Sequence, residues 1–184
     1  MRRSARPGLL RWQLAGRPLI RRGKKGLREA LAAEAAAEVR RLAAAAAADL
    51  AGGGSLEAVE LALRAGLAQL GGRLLEGLLA ADTGHRGPAV ECGAGHQARF
   101  VSYRGKAVDT VPGPVRVRRA WYHCHRCGHG LAPRDIDLGV AGQVMSPGLR
   151  KMAARAAAAV PFAKAAALVG ELAGIRLTGK RAGR

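Results

Sequence analysis

Large side chains and acids are both scarce in this chain. Two Phe, two Tyr and two Trp serve 184 residues, so one big, well-filled core is excluded. The hydrophobic share is 49%, but alanine supplies its largest part. Only 13 Asp and Glu stand against 31 Lys and Arg, a formal net charge of +18. That is too basic for an ordinary cytosolic enzyme acting on neutral substrates. Self-repulsion of this size favours a polyanionic partner, which for most basic chains means nucleic acid. Three cysteines cannot close a disulfide framework, so a stapled secreted scaffold is excluded and a reducing compartment is expected. Long apolar runs are missing too. A membrane span needs about 18 of them in a row, whereas Leu42–Ala48 is short and the stretch 152–169 is broken by Arg155, Pro161 and Lys164. After Met1-Arg2-Arg3, the arginines at 11, 17, 21 and 22 leave no continuous apolar segment for a secretory signal.

What is present divides into stretches of different period. Residues 1–28 are rich in Arg, Lys, Gly and Pro without periodicity and read as a mobile basic arm. Ala, Glu and Leu, all strong helix formers, predict a helix from Leu27 to Leu50 with almost nothing to bury, stopped at Gly52-Gly53-Gly54. Leu56, Val59, Leu63, Leu67, Leu70, Leu74 and Leu78 recur at three- and four-residue steps and predict a helix over 56–82. Ser55 is placed to cap it and Gly84 to end it, and Gly71-Gly72 predict a kink. Its leucine stripe has two candidate partners, the preceding helix or a second copy of itself, and packing within the chain is the simpler.

Between 87 and 133 the period falls to two. Phe100, Val101 and Tyr103 mark a first strand, Arg104-Gly105 a tight turn and Ala107–Val111 a second strand. After Pro112-Gly113-Pro114, a third strand places Val115, Val117, Arg119 and Trp121 on one face and Arg116, Arg118 and Tyr122 on the other. Cys92-x3-His96 precedes these strands and Cys124-x2-Cys127 follows them, two ligand pairs with 27 residues between. Zinc takes four tetrahedral S and N ligands, and a short loop can present two of them. Gly93 and Gly128 permit the tight backbone that such loops need. The expected site is a structural zinc on Cys92, His96, Cys124 and Cys127 in a zinc-ribbon-like unit, with His85, His123, His125 and His129 as alternatives for the histidine ligand. Four saturating ligands with no Glu beside them point away from a catalytic ion.

Ser146-Pro147 opens a helix to about Ala159. A second runs from Pro161 to Leu172 and ends at Ala173-Gly174, and Thr178 can cap a third carrying Lys180, Arg181 and Arg184, the outline of a helix-turn-helix. The expected architecture is mainly α with a small antiparallel β zinc-ribbon-like insert. N-terminal helices occupy 29–84, a three-stranded ribbon lies within 85–135, and helix-turn-helix-like helices occupy 146–184.

The run Gly113-Pro114-Val115-Arg116-Val117-Arg118-Arg119-Ala120-Trp121-Tyr122-His123-Cys124-His125-Arg126-Cys127-Gly128-His129-Gly130-Leu131-Ala132-Pro133, then Asp135 and Leu138-Gly139-Val140, resembles the N-terminal region of the ISKra family of bacterial insertion-sequence transposases. Leu75–Leu78 with Asp82-Thr83-Gly84-His85-Arg86-Gly87, and Ser146-Pro147-Gly148 through Arg181, resemble it as well. The likeness covers roughly residues 56–182 and is most specific in its middle third. Members carry a zinc ribbon and helix-turn-helix ahead of a ribonuclease-H-like domain with an acidic triad. Their first metal pair is commonly Cys-x-x-Cys, where this chain has Cys92-x3-His96. The acidic triad domain has no counterpart, because Asp109, Asp135 and Asp137 lie on or beside the ribbon. The resemblance therefore implies the DNA-binding portion of a transposase, truncated, without catalytic activity of its own, in the bacterial cytoplasm at the nucleoid.

On that reading Arg104, Lys106, Arg116, Arg118 and Arg119, with Arg176, Lys180 and Arg181, neutralise DNA phosphates, and Tyr103, Trp121 and Tyr122 fill the small core or stack on bases. No membrane or small-molecule substrate is expected. Other classes are a regulator acting as a homo-oligomer or in a mixed oligomer with full-length transposase through the leucine stripe, and a basic RNA-associated protein. A hydrolase is disfavoured, since Ser55, Ser102 and Ser146 lack a His/Asp context.

Overall fold

The computed structural model describes residues 24–174. The order is α1 (Lys24–Ala51), α2 (Leu56–Ala80), β1 (Ala89–Glu91), β2 (Gln97–Thr110), β3 (Gly113–His123), β4 (Gly130–Leu131), α3 (Pro133–Asp137), α4 (Pro147–Ala159) and α5 (Phe162–Ala173). Among the described residues it is a mixed fold, five helices with a four-stranded antiparallel sheet in the order β1-β2-β3-β4. Among the described residues no helix is long and apolar enough to cross a membrane. The alanine-rich helix begins at Lys24, inside the stretch 1–28 expected as a basic arm, and residues 1–23 lie outside the described residues.

α1 and α2 form a hairpin. Ser55 caps α2 by accepting the Ala58 amide at 3.2 Å. The expectation that α1 has almost nothing to bury is corrected at two points, since Leu31 and Leu42 are 7% and 8% exposed. Each fits a glycine of α2. A Cβ on Gly77 would fall 2.7 Å from Leu31 Cδ2, and one on Gly66 would collide with Leu42 Cδ2. The face of α2 that meets α1 is thus Val59, Gly66, Leu70 and Gly77, and much of the leucine stripe stays outside. Leu56, Leu67 and Leu78 are 65%, 54% and 54% exposed. α2 runs through Gly71-Gly72 as one helix, and those glycines admit the turn residue Pro112, which a Gly71 Cβ would meet at 3.0 Å. The helix ends at Ala80, with Ala81 as its C-cap. Gly84, at φ +67°, serves instead to pass close to the backbone of Arg134.

The sheet differs from the expected three-stranded meander. Arg104-Gly105 is no turn, because β2 continues through it and pairs Gly105 with Arg118. The reversal comes at Val111-Pro112, between the pair Thr110 and Gly113, where Gly113 takes φ +131°. Proline is well suited to a turn and useless in mid-ladder. The short strands β1 and β4 then extend only one end of the long hairpin, pairing at Ala89–Glu91 with Gln97–Arg99 and at Tyr122–His123 with Gly130–Leu131.

That end and the opposite end bury different faces. Near the turn, Val108, Val115 and Val117 pack under α2 with Leu75, Leu79, Leu138 and Val140. Near the short strands, Ala98, Ala120, Tyr122 and Cys124 are buried with Val90, Cys92, Phe100, Cys127 and Leu131. The β3 edge is covered along α2, where Glu76 accepts the Arg116 amide at 3.2 Å and the Thr83 carbonyl accepts that of Ala120 at 2.8 Å.

α4 and α5 pair through Leu149, Met145 and Val169. Ser146 accepts the Leu149 amide at 3.3 Å, and Gly174 closes α5 in the left-handed region. The expected third helix from Thr178 lies outside the described residues.

Candidate metal centre and basic surface

The loop from β1 to β2 carries Cys92 and His96, and the loop after β3 carries Cys124 and Cys127. Local backbone bonds shape both. The His96 carbonyl accepts the Cys92 amide at 2.9 Å, the His129 carbonyl accepts that of Cys124 at 2.8 Å, and the Cys124 carbonyl accepts that of Gly128 at 2.9 Å. Gly93, Gly95 and Gly128 take positive φ, which is cheap only for glycine.

Sheet pairing brings the two loops together, so that the ligand atoms of Cys92, His96, Cys124 and Cys127 all lie within 4.8 Å of one another, close enough to hold a metal ion. The Cys92 and Cys127 sulfurs are 3.7 Å apart. A disulfide would be shorter, at about 2.05 Å. The edge of a tetrahedron with metal–sulfur bonds of about 2.3 Å is about 3.8 Å. His96 Nδ1 is buried and makes no hydrogen bond in the protein, the state expected of a nitrogen reserved for an ion. The Cys127 amide, against the effect of burial and with help from the Cys127 side chain and the Arg126 amide, pulls the Cys124 thiol from 9.0 down to about 6. The His129 amide draws Cys127 the same way, but the neighbouring Cys124 sulfur, burial and Cys92 outweigh it and raise that thiol.

The other histidines lie elsewhere. His85 packs edge-on to Phe100 at 4.8 Å between centroids, His123 and His125 pack on each other at 4.9 Å, and the side chain of His129 is in solvent.

The basic residues separate into two groups. Arg104, Arg116 and Arg118 are exposed. The Arg104 guanidinium covers the Trp121 ring at 4.7 Å and that of Arg118 covers Tyr103 at 4.3 Å. Lys106 and Arg119 instead point beneath the sheet, where Lys106 Nζ donates to Asp135 Oδ2 at 3.1 Å and Arg119 Nε is ion-paired with Asp135 Oδ1 at 2.7 Å. Their side chains are only 15% and 12% exposed. The expectation that these two face DNA is corrected by their burial against Asp135; Arg104, on the same face of the sheet, stays exposed over Trp121. Arg176, Lys180 and Arg181 lie outside the described residues. Sequence reasoning passed over Arg99 and Arg126, exposed beside the metal loops around a recess lined with Gly95, His96 and His125. It also left the buried Asp135 without a role.

No protein-family model matches the chain, no curated protein matches it, and no solved structure matches it.

Proposed function

We propose that the chain is a nucleic-acid-binding module stapled by a structural zinc ion, corresponding to the DNA-binding part of an ISKra-like transposase. The observation that carries the reading is the four-ligand cluster at the end of a sheet that presents Arg116 and Arg118 to solvent on one face and Arg104 on the other, on a chain of net charge +18. Three thiols and an imidazole suit zinc, which has no redox role and prefers four such ligands. The ion would lock both loops around the small Ala98–Tyr122 core, which has too little apolar surface to do so alone. DNA backbone contact through arginines releases counterions and gives a steep loss of affinity with salt. Transposition chemistry would come from other residues, since the carboxylates here are engaged structurally. Asp135 holds Lys106 and Arg119, and Asp137 pairs with Arg86 at 2.9 Å.

The test is binding of the zinc-loaded protein to duplex DNA across a salt series. Affinity that falls steeply and linearly in log–log form supports the reading, and binding that is absent at low salt or insensitive to salt removes it. A second reading rests on Leu56, Leu67 and Leu78, three exposed leucines at eleven-residue steps along α2. They favour a homo-oligomer or a mixed oligomer with full-length transposase, and Leu67→Glu would abolish it in light scattering.

A further inference from the structure

Three aromatic residues, Phe100, Tyr103 and Tyr122, share one face of the sheet with His85. Phe100 lies 5.2 Å from Tyr103 and 5.7 Å from Tyr122, and His85 lies 4.8 Å from Phe100 and 6.0 Å from Tyr103. Tyr122 belongs to the core. It is fully buried, and its hydroxyl accepts the Arg86 amide and donates to the Gly87 carbonyl. Tyr103 is different, because it is 41% exposed and one side of its ring carries the exposed Arg118 guanidinium.

A break in the ladder puts Tyr103 there. Strict alternation sends residues 100 and 103 to opposite faces. The register shifts between Phe100 and Ser102, so Val101 is passed over and Tyr103 returns to the face of Phe100, opposite Ala120. A bulge of this kind re-aims a side chain, here at the cost of leaving Val101 51% exposed. The core beneath is already closed by Ala98, Ala120 and Tyr122, so it does not require the Tyr103 ring.

We infer that Tyr103, with Arg118 stacked on it and His85 beside it, is a platform for an unpaired base, and that the ligand of this face is single-stranded nucleic acid. Bases stack on aromatic rings and on guanidinium planes regardless of sequence. Arg116 lies two residues from Arg118 on the same face, about 7 Å along the strand, and meets the adjoining phosphate. A base locked in a duplex cannot present its face to this ring, so the platform discriminates strand from duplex. The inference rests on the nucleic-acid reading above and adds to it the form of the nucleic acid.

The experiment uses the zinc-loaded chain, labelled oligo(dT) and a duplex of equal length, read by fluorescence anisotropy at one salt concentration. Tyr103→Ala should weaken oligo(dT) binding roughly ten-fold while duplex binding changes less than about two-fold, and Arg118→Ala, which also removes a phosphate contact, should weaken both ligands with the larger loss on oligo(dT). Tyr103→Phe should bind as the parent does. Tyr103→Leu, which keeps an apolar side chain against Phe100 but offers no ring, should lose as much as Tyr103→Ala, so a packing effect is separated from stacking. Equal losses on strand and duplex, no loss on either, or retention by Tyr103→Leu overturns the platform and leaves the broader reading standing. Failure of the parent to bind either ligand overturns both.

Discussion

Arg119 Nε lies 2.7 Å from Asp135 Oδ1, and the carboxylate that receives it also receives Lys106 at 3.1 Å. Two cations on the buried side of a hairpin are thus paired with one carboxylate of the five-residue helix α3, which ties α3 beneath the sheet. Removing one partner of a buried pair strands the remaining charge. Asp135→Ala should therefore lower unfolding free energy by about 3 kcal/mol in urea denaturation. Asp137→Ala, at a pair whose side chains are 46% and 44% exposed, should stay within about 1 kcal/mol of the parent. Similar losses at both positions would show that the Asp135 network is no anchor.

Metal analysis of the purified protein should give about one zinc per chain, lost in Cys124→Ala and in His96→Ala. Chelation should then melt the β1 and β4 end of the sheet while the α1–α2 hairpin keeps its helical circular dichroism. Zinc retained in His96→Ala would transfer the fourth position to another residue.

Gly66→Ala is a case of opposed terms. In a free helix, alanine at this position gains about 1 kcal/mol. Here its Cβ collides with Leu42, and overpacking costs typically 1–3 kcal/mol. The variant should be less stable than the parent by thermal unfolding, and Leu42→Ala in the same chain should return much of the loss. A stabilised Gly66→Ala would mean that α1 sits farther from α2.

Glu38 ties α1 to α2 through Arg73 at 3.1 Å and holds Arg41 at 2.7 Å. The hydrogen bond from Arg41, helped by Arg73 against the effect of burial, pulls the Glu38 carboxyl from 4.5 to about 2. A depressed carboxyl stabilises the folded state fully above its ordinary value and loses that contribution as pH falls through the depressed one. Thermal stability should thus fall from pH 4.5 toward pH 2, and Glu38→Gln should flatten this part of the profile. Identical profiles for the two proteins would detach Glu38 from the acid response.

Signals that act over a few residues were legible in the sequence. Ser55 and Ser146-Pro147 begin helices and Gly174 ends one because caps are local chemistry. The four metal-site residues could be named because loop spacing and ligand type are local too. Alternation placed Arg119 with Val115 and Val117, but Arg104 shares that face and stays exposed, so alternation alone did not settle its burial. What could not be read depends on distant partners. The bulge at Val101 follows from fitting Phe100 over Tyr122 and Tyr103 over Ala120. The glycines of α2 looked like weaknesses in a helix, and only the positions of Leu31, Leu42 and Pro112 show them as sockets.

Because Cys92 and Cys127 stand on either side of the β2–β3 hairpin, an ion bound between the loops closes a ring of chain around it. A protease that cuts at the exposed Val111 would then produce two fragments that still migrate as one under native conditions. They would come apart at a lower denaturant concentration once a chelator opens the ring.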